Sequence, residues 1–287
     1  MIINKLDPQG YCGGVKSALA AVYKALDSPF TPRPIYLLGS IIHNQYVIED
    51  LTKRGAILIE QKGKTRLELL EQITEGTVVF SAHGVSPQVR EQAIKKGLNI
   101  LDTTCGNVQI IHKRIQKHLA DGFQCLYIGT KHHPECEGIL GMDSSILLIE
   151  TLEDVAHLVL STNKIYVTNQ TTLSIYDTQR IYDALSEKFP TAVLDNKICV
   201  ATTIRQEAIL KQESTDLCLV VGDANSSNTK KLVLASQSVG IITLLVENLA
   251  QVKSLDFTDI QSISITSGAS TPKEIVDEII TYLSTNH

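Results

Sequence analysis

Residues 98–119 read "LNILDTTCGNVQIIHKRIQKHL", and the place of Cys105 within them decides the fold. The run "LNIL" has the apolar character of a short strand, and Val108, Ile111, Ile115 and Leu119 recur at helical spacing, so the cysteine stands where a strand hands over to a helix. The same junction occurs around Cys12 in "PQGYCGGVKSALAAV", where Val15, Ala18, Leu19, Val22, Ala25 and Leu26 share one helical face, and around Cys199 in "NKICVATTIRQEAIL". The third helix, near Ile204 and Ala208, carries the weaker pattern. Cys12, Cys105 and Cys199 are separated by 93 and 94 residues, a period that marks an internal repeat.

Other features recur at the same period. An apolar strand ending in Gly appears as "IYLLG", "CLYIG" and "LCLVVG", followed by the polar segments "SIIHNQY", "TKHHPECEG" and "DANSSNTKK". A second strand follows as "AILIE", "ILLIE" and "ITLLVE", and a third leads into "SAHGVSP", "NQTTLS" and "SGASTP". Strands alternating with helices predict an α/β fold of small, mainly parallel sheets with right-handed crossovers. The expected division is three pseudo-equivalent units, residues 1–103, 104–197 and 198–287, packed together without linkers. Ligands in such folds bind beyond the carboxyl ends of the strands, where the unusual polar residues of all three units lie.

A chain of 287 residues with 43% hydrophobic and 20% charged residues has the make-up of a globular protein with a sizeable core. The start "MIINKLDPQG" lacks the features of a signal peptide, and no apolar run nears the roughly 18 residues of a membrane span. The formal net charge of −5 argues against a protein that coats nucleic acid or anionic lipid. A cytoplasmic protein is therefore expected, with no nucleic-acid or membrane partner and with six cysteines that are reduced, buried or metal-binding.

A lone cysteine at a strand end is ordinarily a small buried hydrophobe, and Cys125 and Cys218, inside apolar strands, fit that reading. Cys136 is expected in the core or a pocket wall. Cys12, Cys105 and Cys199 differ, because helix N-termini favour thiolates and three repeats bring three of them. Structural zinc takes four ligands, often from CxxC pairs that are absent here. Three thiolates on a 4Fe-4S cluster leave one iron open as a Lewis acid.

His112, His118 and His157 lie on helices and are expected to pack or face solvent. His43, His83 and His133 lie in the polar turns, where the third repeat places Ser226, Ser227, Asn228 and Ser270. Together these form a ring of donors suited to phosphate or carboxylate oxygens. Glu135, in "HHPEC", can carry protons if burial raises its pKa. Glu137 competes for that role, and Thr171 is placed to orient either a carboxyl or a substrate hydroxyl.

The ordered set "GYCGGV", "HNQYVIEDL", "FSAHGVSP", "DTTC", "HHPECEG", "TNQTTLS", "ATTIRQEA", "NSSN" and "SGASTP" resembles the 4-hydroxy-3-methylbut-2-enyl diphosphate reductase family, from about residue 9 to 272. The resemblance implies a cloverleaf of three α/β units around a 4Fe-4S cluster held by Cys12, Cys105 and Cys199. It implies a substrate diphosphate held by His43, His83, His133, Ser226, Ser227, Asn228 and Ser270, with Thr172 supporting the pocket. Glu135 would supply protons, with Thr171 and His133 beside it. The implied reaction removes the substrate hydroxyl as water, giving isopentenyl and dimethylallyl diphosphates in the last step of the non-mevalonate isoprenoid pathway. The implied electron donor is an external ferredoxin or flavodoxin. The chain departs from the family pattern at Gly106, where Pro is usual, at "NVQIIH", where "LVTKVH" is more usual, and at "KSAL", where an Arg is common. Two other classes use the same constellation: a 4Fe-4S hydro-lyase acting on a related small anion without reductant, and a non-catalytic iron-sulfur sensor.

Overall fold

The computed structural model describes residues 1–286. The chain begins β1 (Ile2–Lys5), α1 (Gly13–Asp27), β2 (Ile35–Leu38), α2 (Gln45–Lys53), β3 (Ala56–Ile59), α3 (Arg66–Leu70), β4 (Thr77–Phe80), α4 (Pro87–Lys95) and β5 (Asn99–Asp102). It continues α5 (Gly106–Ala120), β6 (Gln124–Ile128), α6 (Pro134–Leu140), β7 (Leu147–Ile149), α7 (Leu152–His157), β8 (Ile165–Asn169), α8 (Ile175–Lys188) and β9 (Val193–Asp195). The last third comprises α9 (Val200–Leu210), β10 (Leu217–Val221), α10 (Ser227–Ser238), β11 (Thr243–Val246), α11 (Leu249–Lys253), β12 (Ser262–Ser267) and α12 (Lys273–Asn286). Among the described residues no helix is long and apolar enough to cross a membrane.

These strands build three four-stranded sheets, ordered β3-β2-β4-β5, β7-β6-β8-β9 and β11-β10-β12-β1. Every pairing is parallel, as the alternation of strands and helices requires. The central strands β4, β8 and β10 are buried along their whole length, because helices cover both faces of each sheet. Alternation then sends successive side chains to opposite cores. Leu37 and Val79 pack under α1 and α2, while Leu38, Val78 and Phe80 pack under α3 and α4. Cys125 and Cys218 on strands and Cys136 on α6 are buried in these cores.

The repeat has one topological twist. The expected first unit, residues 1–103, includes residues 2–5, yet β1 pairs with β12 in the register Ile2↔Ser262 to Lys5↔Ile265. The amino terminus thus completes the sheet built by the carboxyl-terminal third. Consequently β1, β5 and β9 are equivalent outer strands, and the helix after each crosses to the next sheet. Val15, Leu19 and Val22 of α1 pack on β2 and β4, Ile111 and Ile115 of α5 on β6 and β8, and Ile209 of α9 on β10.

Removing residues 1–5 deletes the partner of one edge of β12 and leaves the β4 and β8 sheets fully paired. Hydrogen exchange read by mass spectrometry is expected to quicken across 262–267 and to hold across 77–80 and 165–169. Unchanged exchange in β12, or a uniform rise, would contradict the closure.

Candidate functional site

In each sheet the chain turns first to one side and then to the other, so the loops after β2 and β4, β6 and β8, and β10 and β12 flank the switch points where α/β sheets bind ligands. His43, His133 and Ser226 each stand five residues beyond their strands, which end at Leu38, Ile128 and Val221. His83, Thr172 and Ser270 stand three residues beyond Phe80, Asn169 and Ser267. One cavity is lined by all thirteen residues predicted for the site: Cys12, Cys105 and Cys199, His43, His83 and His133, Glu135, Thr171 and Thr172, Ser226, Ser227 and Asn228, and Ser270.

The cysteines enter this cavity from the ends of the outer strands. Each is a helix N-cap whose side chain makes no capping bond, whereas Asn44, Thr65, Ser86, His133, Thr151, Ser174, Ser226 and Asn248 cap their helices through side-chain acceptors. None of the three thiols is therefore spent on capping its helix. Each backbone amide is also anchored in the same way: Cys12 N–H donates to Ala269 O (3.0 Å), Cys105 N–H to Ala82 O (3.0 Å) and Cys199 N–H to Thr171 O (2.9 Å). Gly14 leaves the room they need, since a Cβ there would lie 2.6 Å from Cys105 Sγ and 3.9 Å from Cys12 Sγ. Burial pushes the Cys105 thiol up, and the backbone N–H groups of Asn107 and Val108 oppose that shift.

In the same cavity the three imidazoles converge, with ring centroids 4.8 Å (His43–His83), 5.5 Å (His83–His133) and 6.0 Å (His43–His133) apart. Burial, then mutual repulsion and Arg66, holds His83 well below its ordinary value and His133 at about 3, and burial lowers His43. They are neutral at pH 7 as they stand. Around them several buried polar atoms have no protein partner: His43 Nε2 and both side-chain atoms of Asn228. Ser270 Oγ donates to His43 O (3.0 Å) across one seam between units, and Gln170 Nε2 reaches Thr172 Oγ1 (2.9 Å) and Ser227 Oγ (3.4 Å) across another.

Glu135 is 1% exposed. It accepts from Tyr127 OH (3.1 Å), Thr171 N–H (2.9 Å) and Thr171 Oγ1 (2.8 Å). Burial raises its pKa to about 7 against these three bonds, which is the range of a group that both holds and gives up a proton near neutrality. Glu137 instead accepts from the Arg66 backbone N–H (2.6 Å) and from Arg66 Nη1 (2.8 Å). Of the two competing carboxylates, Glu135 alone faces the cavity.

Tyr127, Arg66, Gln170, Asn107 and Arg205 border the site and went unread in the sequence. Tyr127 and Gln170 carry a local signal, since each lies at the carboxyl end of a central strand. Arg66 has none, because its electrostatic effect on the imidazoles depends on how α3 packs in the folded chain. His112, His118 and His157 stand on helices as expected; His118 stacks on Tyr166 at 3.7 Å.

The LytB protein family model matches residues 3–284. The 4-hydroxy-3-methylbut-2-enyl diphosphate reductase of Bacillus thuringiensis (strain Al Hakam) is 42% identical over 286 residues, covering 99% of this chain and 90% of the relative. That of Geobacillus sp. (strain WCH70) is 41% identical with the same coverage. Among solved structures, the E-1-hydroxy-2-methyl-but-2-enyl-4-diphosphate reductase of Plasmodium falciparum superposes with a TM-score of 0.90 at 35% identity, covering 99% of this chain and 88% of that one. A second, (E)-4-hydroxy-3-methyl-but-2-enyl diphosphate reductase, gives 0.69 at 28% identity, with 99% of both chains covered. Matched from its first strand to its last helix, with cysteines, imidazoles and Glu135 meeting in one cavity, the chain belongs to the LytB family.

Proposed function

We propose that this protein is an iron-sulfur reductase that converts (E)-4-hydroxy-3-methylbut-2-enyl diphosphate to isopentenyl and dimethylallyl diphosphates. The substrate takes up two electrons and two protons, its C–O bond breaks, and the oxygen leaves as water. The observation that carries this reading is a buried, protonatable Glu135 in one cavity with three thiols and a set of polar side chains, of which His43 Nε2 and the Asn228 amide have no protein partner. A sensor needs no such ring. A hydro-lyase would run without reductant, which is the simplest assay to separate it.

The three thiols suit a cluster rather than a single ion. They are uncapped, anchored alike and given space by Gly14, while the one set of three ligand groups tight enough to share an ion among the described residues is the imidazole trio, within 4.8 Å. Cys12, Cys105 and Cys199 would hold a 4Fe-4S cluster, which when bound supplies electrons and a Lewis-acidic iron for the substrate hydroxyl. The donor ring binds the diphosphate and fixes the hydroxyl end toward the thiol wall. Thr171 holds Glu135 through two bonds and so aims its carboxyl. Glu135 gives its proton within the cavity, away from competing water. An external ferredoxin or flavodoxin is the proposed electron source, and the six free thiols support a cytoplasmic setting.

Replacing Cys12, Cys105 or Cys199 by Ser should each strip iron and sulfide from anaerobically purified protein, while Cys218→Ser, in the core of β10, should retain them. Iron retained at wild-type level in any of the three would remove that residue from the ligand set.

Glu135→Gln preserves shape and hydrogen bonds but supplies no acidic proton. Turnover should fall about a hundredfold or more with diphosphate binding intact. The alkaline limb that Glu135 gives the wild-type pH profile, as it deprotonates above about pH 7, should vanish. Wild-type turnover in Glu135→Gln would refute the assignment; Glu137→Gln is the comparison and should act through loss of the Arg66 contact.

The depressed imidazoles make a third expectation. An incoming diphosphate favours imidazolium, so binding takes up protons near pH 7 and tightens as pH falls. Calorimetry with inorganic diphosphate in two buffers of different ionisation enthalpy should show net uptake, diminished in His83→Asn. Identical uptake in that variant would exclude His83 from the effect.

A further inference from the structure

Arg205 is 2% exposed, yet none of the ion pairs among the described residues includes it. Its Nη1 donates to Ala201 O (2.9 Å) and its Nη2 to Gly10 O (2.7 Å), and its Nε has no partner. A guanidinium cannot shed its proton to escape burial, so a buried one without a carboxylate requires negative charge from elsewhere. The groups that favour its charged state are Cys12 and Cys199, against the opposing effect of burial. Its two bonds also tie the loop before Cys12 to the first turn of the helix after Cys199. On the same sulfur, from the opposite unit, Asn107 Nδ2 donates to Cys199 Sγ at 3.1 Å.

We infer that Arg205, seconded by Asn107, is a positioning residue that sets the reduction potential of the cluster held by Cys12, Cys105 and Cys199. The inference rests on the iron-sulfur reading above. A fixed positive charge and an N–H dipole directed at the ligand sulfurs stabilise the more negative, reduced state, and hydrogen bonds to sulfur and local charge are established levers on such potentials. Because the Arg205 charge is buried, water screens it little. Asn107 is exposed and contributes less. The pair would thus let an external carrier of modest reducing power fill the site.

The test is a redox titration of the reconstituted protein followed by electron paramagnetic resonance, which needs no substrate or turnover. Arg205→Gln keeps hydrogen-bonding capacity and removes the charge. It should lower the one-electron reduction equilibrium constant about tenfold, roughly 59 mV toward negative potential. Arg205→Lys should stay nearer the wild type than Arg205→Gln does. Asn107→Leu should shift the potential in the same direction by less, and the double variant further than either. A wild-type potential in either variant that holds iron removes that residue from the role, and in both it overturns the proposal. Should Arg205→Gln fail to take up iron, the order of Arg205→Lys and Asn107→Leu against the wild type decides. Failure of the unmodified protein to assemble any cluster would instead refute the functional reading, so the two failures are distinct.

Discussion

The structure depends on one backbone hydrogen bond made three times. The amides of Cys12, Cys105 and Cys199 donate to the carbonyls of Ala269, Ala82 and Thr171, each two residues past the end of a central strand. Every such bond joins a thiol at the end of an outer strand to a loop that carries His83, Thr172 or Ser270 on the next residue. Each thiol is thereby tied to a loop of the polar ring by main chain rather than by flexible side chains. Since the helix after each cysteine then packs on the following sheet, moving one thiol means moving a whole unit.

That rigidity matters because the polar groups at the centre are costly as they stand. A buried donor or acceptor without a partner costs about 1–3 kcal/mol, and His43 Nε2 with both side-chain atoms of Asn228 are such groups. The imidazoles are held neutral close to one another, and Glu135 is held near the midpoint of its titration. On the proposed function, a diphosphate would satisfy these polar groups and recharge the imidazoles at once. The protein carries the cost of organisation before its ligand arrives, which is how preorganised donors become effective against developing charge.

The seams between units are bridged at the rim of the same cavity. Arg66 and Glu137 join the first two units, Gln170 and Ser227 the second and third, and Ser270 and the His43 carbonyl the third and first. Charge is allotted locally against the overall balance. In a chain of net charge −5, the partly buried Arg66 acts on the imidazoles and the buried Arg205 on the thiols.

The threefold repeat, the strands, the turns that follow them and the cysteine junctions were legible in the sequence, because each is written in local periodicity and in residue types suited to strand ends and helix starts. The convergence of the thirteen site residues was legible too, since equivalent positions of a parallel α/β repeat must point to the same end of their sheets. Tertiary structure alone decided that β1 closes the third sheet, for strand pairing between residues 2 and 262 leaves no mark on the neighbours of either. It alone set Glu135 and Glu137 apart, two residues from each other on one short helix, by burying the first against Tyr127 and Thr171 and tying the second to Arg66. It alone exposed Arg205 as a buried cation facing thiols, because a residue's charge is written in the sequence while its burial and its partners depend on which distant surfaces pack around it.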